Sequence, residues 1–507
     1  MSKPSEHTKR TAKFARKLKQ KDIYEWIMAN GYYPESYVLP PCFSVTRYPA
    51  YGKKFFPIGA KGAYSPKSSN LAQVHFPKSN LADRTFSIID PEIHCDIAYE
   101  IAHNWNRILK IIFNPKNLVH SYSFPIPLDT NKSGVIGKLR SGRMIYEFIE
   151  MAENDVSSES FQYAYLVKAD IKSFYPTVYT HSLSWAFHGK SYIRAKKRRH
   201  DYNHVGNRMD RLFQRSNDDH TNGVAIGPVV SDVVTELLLA RVDTLFSKAL
   251  SSPDRFLAVR FKDDYRILCQ SENDAKSIIK SLQNALREYD LDISEDKTTI
   301  SRLPDGLFRP WVSKYHAANP KPKEEYTYKQ FKEVYLSVVA TDRELPGTGI
   351  VDRFLADIVT KDDYKPNFEV SKKTIPNIVS LLMMLASLRI KSFPKILGVI
   401  EAIMRSANND WYTDQIGKYL ANYLHSLATN ERDNRYQIIW ILYFLKSNKM
   451  EKFILKKYAF KDPVVKSVQS NRNNLFGSCK DFKIFTGIKT VAKNKTLLEH
   501  LDVFSPQ

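Results

Sequence analysis

Two short acidic stretches constrain this chain more than any other feature. They are Asp170 in Tyr165-Leu-Val-Lys-Ala-Asp-Ile-Lys-Ser-Phe-Tyr-Pro176 and the pair Asp263-Asp264 in Val259-Arg-Phe-Lys-Asp-Asp-Tyr-Arg-Ile-Leu268. Ala164 to Ala169 reads as a strand buried on both faces, which delivers Asp170 to the rim of a sheet. Phe256 to Phe261 and Tyr265 to Leu268 read as a hairpin with Lys262, Asp263 and Asp264 at its turn, where Asp is well tolerated. If these strands lie side by side, three carboxylates converge and need cations between them. Oxygen-only donors suit Mg²⁺, and a two-ion clamp stabilises the attacking and leaving oxygens of an in-line phosphoryl displacement. Taken singly, each Asp is better explained as an ordinary turn residue. The pair, the hairpin and the buried partner strand together are not.

The same residues resemble the palm of reverse transcriptases, with an aspartate at a strand end, an aromatic five positions on (Tyr175), and an aromatic-X-Asp-Asp hairpin at Phe261-Lys262-Asp263-Asp264. Ala169-Asp-Ile-Lys-Ser-Phe-Tyr-Pro176, Asn222-Gly-Val-Ala-Ile-Gly-Pro228 and Tyr37-Val-Leu-Pro-Pro-Cys-Phe43 look most like the bacterial abortive-infection (Abi) reverse transcriptases, AbiK-like polymerases used against phage. The resemblance covers about residues 120 to 312. It implies an α+β fold with fingers and a split βαβ palm over 1–315, followed by an all-α, HEAT-like helical region over 316–507. It implies catalysis by Asp170, Asp263 and Asp264, with Ile171 beside them at two Mg²⁺ or Mn²⁺ ions. Tyr175 would close against a ribose 2′-OH, Ile226 and Gly227 would lie at the incoming dNTP, and Lys297 would be a general acid for pyrophosphate. Templated enzymes usually carry Gln where this chain has Ile226, which agrees with untemplated, protein-primed synthesis on a tyrosine. Tyr32, Tyr33, Tyr37, Tyr48 and Tyr51 are the primer candidates. Abi enzymes also form homo-oligomeric rings.

Composition agrees with a polyanionic partner. The 507 residues hold 76 Lys plus Arg against 54 Asp plus Glu, a formal charge of +22, which favours RNA or DNA. No run of 18 or more apolar residues is present, so a soluble cytoplasmic protein without a membrane span is expected. Cys42, Cys95, Cys269 and Cys479 lie far apart, as buried reduced thiols would. Lys138, Arg140 and Arg143 sit on a glycine-flexed loop ahead of the palm and are candidates for phosphate contact, although each alone reads more readily as a solvated surface charge. Arg194-Ala-Lys-Lys-Arg-Arg-His200 is the densest cationic run, and Asn203 to His220 reads as a polar surface insertion. One helix is expected over Asp96 to Phe113, and several more beyond Tyr326. Two other readings stand beside untemplated synthesis: a templated enzyme of the retron or intron kind, and a catalytically silent nucleic-acid-binding scaffold.

Overall fold

The computed structural model describes residues 2–501 apart from 80–81, 130–131, 138–146, 251–254, 321–324, 408–409, 478–479 and 491–495. A small antiparallel ribbon, β1 (Ala72–Pro77) with β2 (Asp83–Ile88), precedes a five-stranded sheet of β3 (Val119–Ser121), β4 (Tyr165–Asp170), β5 (Phe256–Phe261), β6 (Asp264–Cys269) and β7 (Thr299–Arg302). The sheet order is β3-β5-β6-β4-β7. β4 pairs antiparallel with both β6 and β7, and β3 adds parallel to β5 at the edge. Without β3 this is the split βαβ arrangement expected.

Both faces of the sheet are covered, as the unbroken apolar runs require. Leu166, Leu257, Val259 and Leu268 pack with Tyr122, Met151, Val156 and Leu307 on one side. Val167, Ala169, Ala258 and Ile267 belong to the main core on the other, with the helices Val229–Ala249 and Glu272–Arg287. The first of these helices is buried around most of its circumference, so its sequence shows little amphipathic contrast.

Two expectations need correction, and one element is new. The single helix over Asp96 to Phe113 is two, Pro91–His103 and Trp105–Ile112, broken at Asn104. The ribbon β1–β2 had not been anticipated. Asn203 to His220 is not a surface insertion, because Val205–Ser216 is a helix that buries Val205, Met209, Leu212 and Phe213. Those four residues follow helical spacing, and the charged residues between them masked it.

The helices from Tyr328 onward fold back on the N-terminal segment. Thr46 NH bonds Lys483 O, Thr486 NH bonds Cys42 O, and the Tyr436 hydroxyl donates to Tyr37 O at 3.0 Å. One hydrophobic core runs from Ala15 to Leu501, and the expected 315/316 boundary falls inside the helix Pro310–Ala318. Among the described residues, no helix is long and apolar enough to cross a membrane. Cys42, Cys95 and Cys269 are buried free thiols, while Cys479 lies outside the described residues.

Glu401 joins the helix Phe393–Ala407 to the last helix by accepting Leu497 NH at 3.2 Å, and burial pushes its carboxyl up to about 7. The folded chain therefore holds this proton at pH values where the unfolded chain has lost it, so stability falls as pH rises from the ordinary glutamate range to about 7. Glu401→Gln should flatten that slope, read from urea midpoints at about pH 5 and about pH 8.

Candidate active site

The register of two strand pairs brings the acids together. β5 and β6 join through the two-residue turn Lys262-Asp263, with Phe261 opposite Asp264 and Lys262 in the left-handed region at φ 52°. β4 pairs with β6 so that Asp170 is directly opposite Asp264. Asp170 is buried and Asp263 half-buried, while Asp264 is exposed.

Their charges are coupled. Partial loss of hydration, then Asp263 and Asp170, push Asp264 up to about 7, and its carboxyl hydrogen-bonds that of Asp170. Asp263 is raised by burial and, more weakly, by Asp170. Like charges at this spacing resist joint ionisation unless a cation intervenes.

Lys297 supplies one cation, its Nζ lying 2.9 and 3.0 Å from the two carboxylate oxygens of Asp170. The loop after β4 is stapled for this contact: Lys172 NH bonds Asp292 O at 2.9 Å and Ser294 NH bonds Asp170 O at 2.7 Å. Those bonds form the bridge between Ile171 and Ile293 without using the carbonyl of Ile171, whose side chain is buried. Among the described residues, no three His, Cys, Asp or Glu side chains already stand as a metal-holding group. The donor set itself, all oxygen and crowded with negative charge, is of the kind that suits a hard divalent ion.

The other candidate residues line up behind the acids. Val224 NH bonds Tyr175 O, and Gly223 NH bonds Val178 O, lacing the 221–228 loop to the segment after Asp170. Ile226 O accepts Ser87 NH, and Gly227 has φ 123°. A Cβ on Gly227 would stand 2.8 Å from Pro34, so only glycine fits. The Tyr175 hydroxyl donates to Asp232 Oδ1 at 2.5 Å. Lys138, Arg140 and Arg143 lie outside the described residues.

The five tyrosines separate by burial. Tyr32 and Tyr33 donate their hydroxyls to Ile89 O and Ile484 O within the core, so neither presents a hydroxyl to solvent. Tyr37, Tyr48 and Tyr51 are half-buried, with Tyr51 bonded to Gln20 Oε1.

A charge network under the hairpin had no counterpart in the sequence reading. Arg260, 0% exposed, donates to both oxygens of Glu236, to Asp243 Oδ2 and to Lys262 O. Tyr265 donates to Asp243 Oδ1, and Ser123 Oγ joins Glu236 to Lys262 NH. Asp232, Glu236 and Asp243 recur at i, i+4 and i+11, one stripe of a buried helix, and that stripe was the available signal. Arg260→Leu would leave two buried carboxylates unpaired and should cost about 3–5 kcal/mol of stability, measured by chemical denaturation. Tyr175→Phe, which removes a short hydrogen bond to the buried Asp232 carboxylate, should cost about 1–3 kcal/mol by the same measurement.

Residues 129–333 match the family described as reverse transcriptase (RNA-dependent DNA polymerase), so a reverse-transcriptase domain is present over that span. No curated protein matches the chain. Among solved structures it is similar to the C-terminally truncated apo telomerase of Candida tropicalis, at 15% identity over 48% of this chain and 52% of that one, TM-score 0.32. It is also similar to the apo telomerase of Candida tropicalis, at 12% identity over 75% and 69%, TM-score 0.34. The telomerase of Candida albicans in complex with a TWJ fragment of telomeric RNA is similar at 14% identity over 80% and 65%, TM-score 0.28. The chain spans about half the length of the first of these.

Proposed function

We propose that this chain is a DNA polymerase of reverse-transcriptase type, with Asp170, Asp263, Asp264 and Lys297 at its reacting centre. The observation that carries the reading is the register pairing of Asp170 with Asp264, next to Asp263 and under the Lys297 ammonium. Asp170, Asp263 and Asp264 would hold Mg²⁺ (or Mn²⁺), which supplies Lewis-acid neutralisation of charge on the oxygens of phosphoryl transfer. Lys297, mobile enough at 59% side-chain exposure to leave Asp170, gives a proton to the departing pyrophosphate. Tyr175 is clamped by Asp232 and forms a rigid wall for a deoxyribose, while Gly227 lets the backbone approach the nucleotide closely.

The finer parts of the proposal rest on the Abi resemblance. They are untemplated synthesis primed by a tyrosine, DNA left covalently on the protein, homo-oligomeric assembly, a cytoplasmic setting and a role in phage defence. Ile226 in place of Gln favours untemplated addition. Tyr37, Tyr48 and Tyr51 are the primer candidates that are half-buried rather than buried. A templated reading is favoured by the RNA-dependent description of the matched family.

The purified protein, incubated with Mg²⁺ and labelled dNTPs with and without an RNA template and primer, distinguishes these. Label that migrates with denatured protein in the absence of template supports protein priming, and tryptic mapping identifies the tyrosine. Incorporation only on the template supports the second reading. No incorporation in either arm sinks the polymerase assignment. Asp263→Asn with Asp264→Asn should lower incorporation by roughly a thousandfold or more. Lys297→Met should lower kcat by roughly a hundredfold. Lys297→Arg, which keeps the ion pair but holds its proton too tightly to give it up, should not restore it.

A further inference from the structure

A sizeable cleft lies apart from the acids. It has a volume of about 690 Å³ and is lined by the helices His181–His188 and Val205–Ser216, the cationic segment between them, and Asp290. It shares no lining residue with Asp170, Asp263, Asp264 or Lys297. Backbone contacts place it one loop away. Tyr179 on its wall pairs with Asn222 of the 221–228 loop, and Asp290 is two residues from Asp292, whose carbonyl holds Lys172 NH.

Positive charge exceeds negative on this wall. Lys190, Arg194, Arg199 and Arg211 line it with two acids, Asp210 and Asp290, and Asp210 is already taken by His181 and by Gln214 Nε2 at 2.6 Å. The ion pairs here are His181–Asp210, Lys190–Glu288 and Arg211–Asp219, and Arg194 and Arg199 enter none of them. The Nε of Arg211 is buried with no hydrogen-bond partner among the described residues.

The cations are also held in place. Lys190 Nζ lies 4.5 Å and the Arg194 guanidinium 5.9 Å from the Trp185 ring, which is 7% exposed. A cation held over an aromatic face forfeits little side-chain entropy when an anion arrives. Guanidinium forks match phosphate oxygens in geometry, and half-buried Tyr179 beside them offers a ring to a base. Exposed Lys196 and Lys197 carry the positive charge past the rim.

We propose that this cleft binds the phosphates of nucleotides, in a strand or free, at a site separate from the acid cluster. An acidic pocket partner without phosphate would leave the fork geometry and the aromatic wall unexplained.

The test uses the full chain in the presence of EDTA, which suppresses cation-dependent triphosphate binding at the acids. Two probes are titrated by fluorescence: a labelled oligothymidylate of about sixteen nucleotides, and an N-methylanthraniloyl dATP. Arg194→Gln with Arg199→Gln should weaken at least one probe by about tenfold. For a strand, the slope of log K against log salt should shrink by about 1.4, the value for two phosphate contacts on single-stranded nucleic acid. Loss confined to the oligonucleotide marks a strand site, and loss confined to the triphosphate marks a free-nucleotide site. If neither affinity changes by more than about twofold while circular dichroism and thermal midpoint match the parent, the proposal is overturned. Should the double variant unfold, Arg199→Gln alone, at an exposed side chain, decides the same question. Because binding is read without turnover and with divalent ions removed, the outcome at Arg194 and Arg199 stands or falls independently of incorporation by the acids.

Discussion

Arg260 is a guanidinium with no solvent access, and the position of the acidic hairpin follows from how it is satisfied. Taking a charge out of water costs several kcal/mol, an amount recovered only when every donor finds a well-placed acceptor. Glu236 and Asp243 provide those acceptors from one helix, and Lys262 O provides another from the turn itself. Helix, β5, β6 and the loop after β3 are thereby tied at one point. A slip of one residue between β5 and β6 would move Arg260 to the opposite face and leave both carboxylates buried without their counter-charge. The network specifies register as much as it stabilises the fold.

Above that anchored base the electrostatics are left unresolved. Three carboxylates share one end of the sheet, Asp264 resists ionisation, and the ammonium paired with Asp170 is a mostly exposed lysine on a short turn. A core selected only for stability would replace these groups with apolar ones. Local conflict of this kind, set within an otherwise consistent fold, marks sites kept for chemistry. The contrast with Arg260 is informative, since that guanidinium is met by Glu236, Asp243 and Lys262 O whereas the acid cluster is offset only in part, by Lys297.

The N-terminal segment belongs to this arrangement too. Gly31 O accepts Val229 NH, and Pro34 lies where a side chain on Gly227 would have to go. Tyr33, Cys42 and Thr46 are in turn held by residues 483–486. Contacts therefore run from the C-terminal residues through the N-terminal segment to the loop behind the acids. The glycine loop keeps its shape because distant parts of the chain press on it.

Much of the site was legible because it depends on local pattern. Alternating or unbroken apolar runs ending in Asp170 and flanking Asp263-Asp264 specify strands and a two-residue turn from nearest-neighbour geometry alone, and Lys297 follows from its place in the motif order. The sequence could not show which side chains from separate elements would share a buried space. Arg260 reads as a stray charge in a strand until Glu236 and Asp243 come up beneath it, and Asp232 reads as a helix residue until Tyr175 reaches it. The helix Val205–Ser216 looks polar until its four apolar positions meet a core, and Tyr32 and Tyr33 look available until their hydroxyls are found on backbone carbonyls. Local sequence determined the strands, the turn and the three acids, because those follow from backbone preference and hydrophobic period. Tertiary structure decided which charges are neutralised, which hydroxyls are sealed and where unpaired cations gather, because burial and pairing depend on groups far apart in the chain.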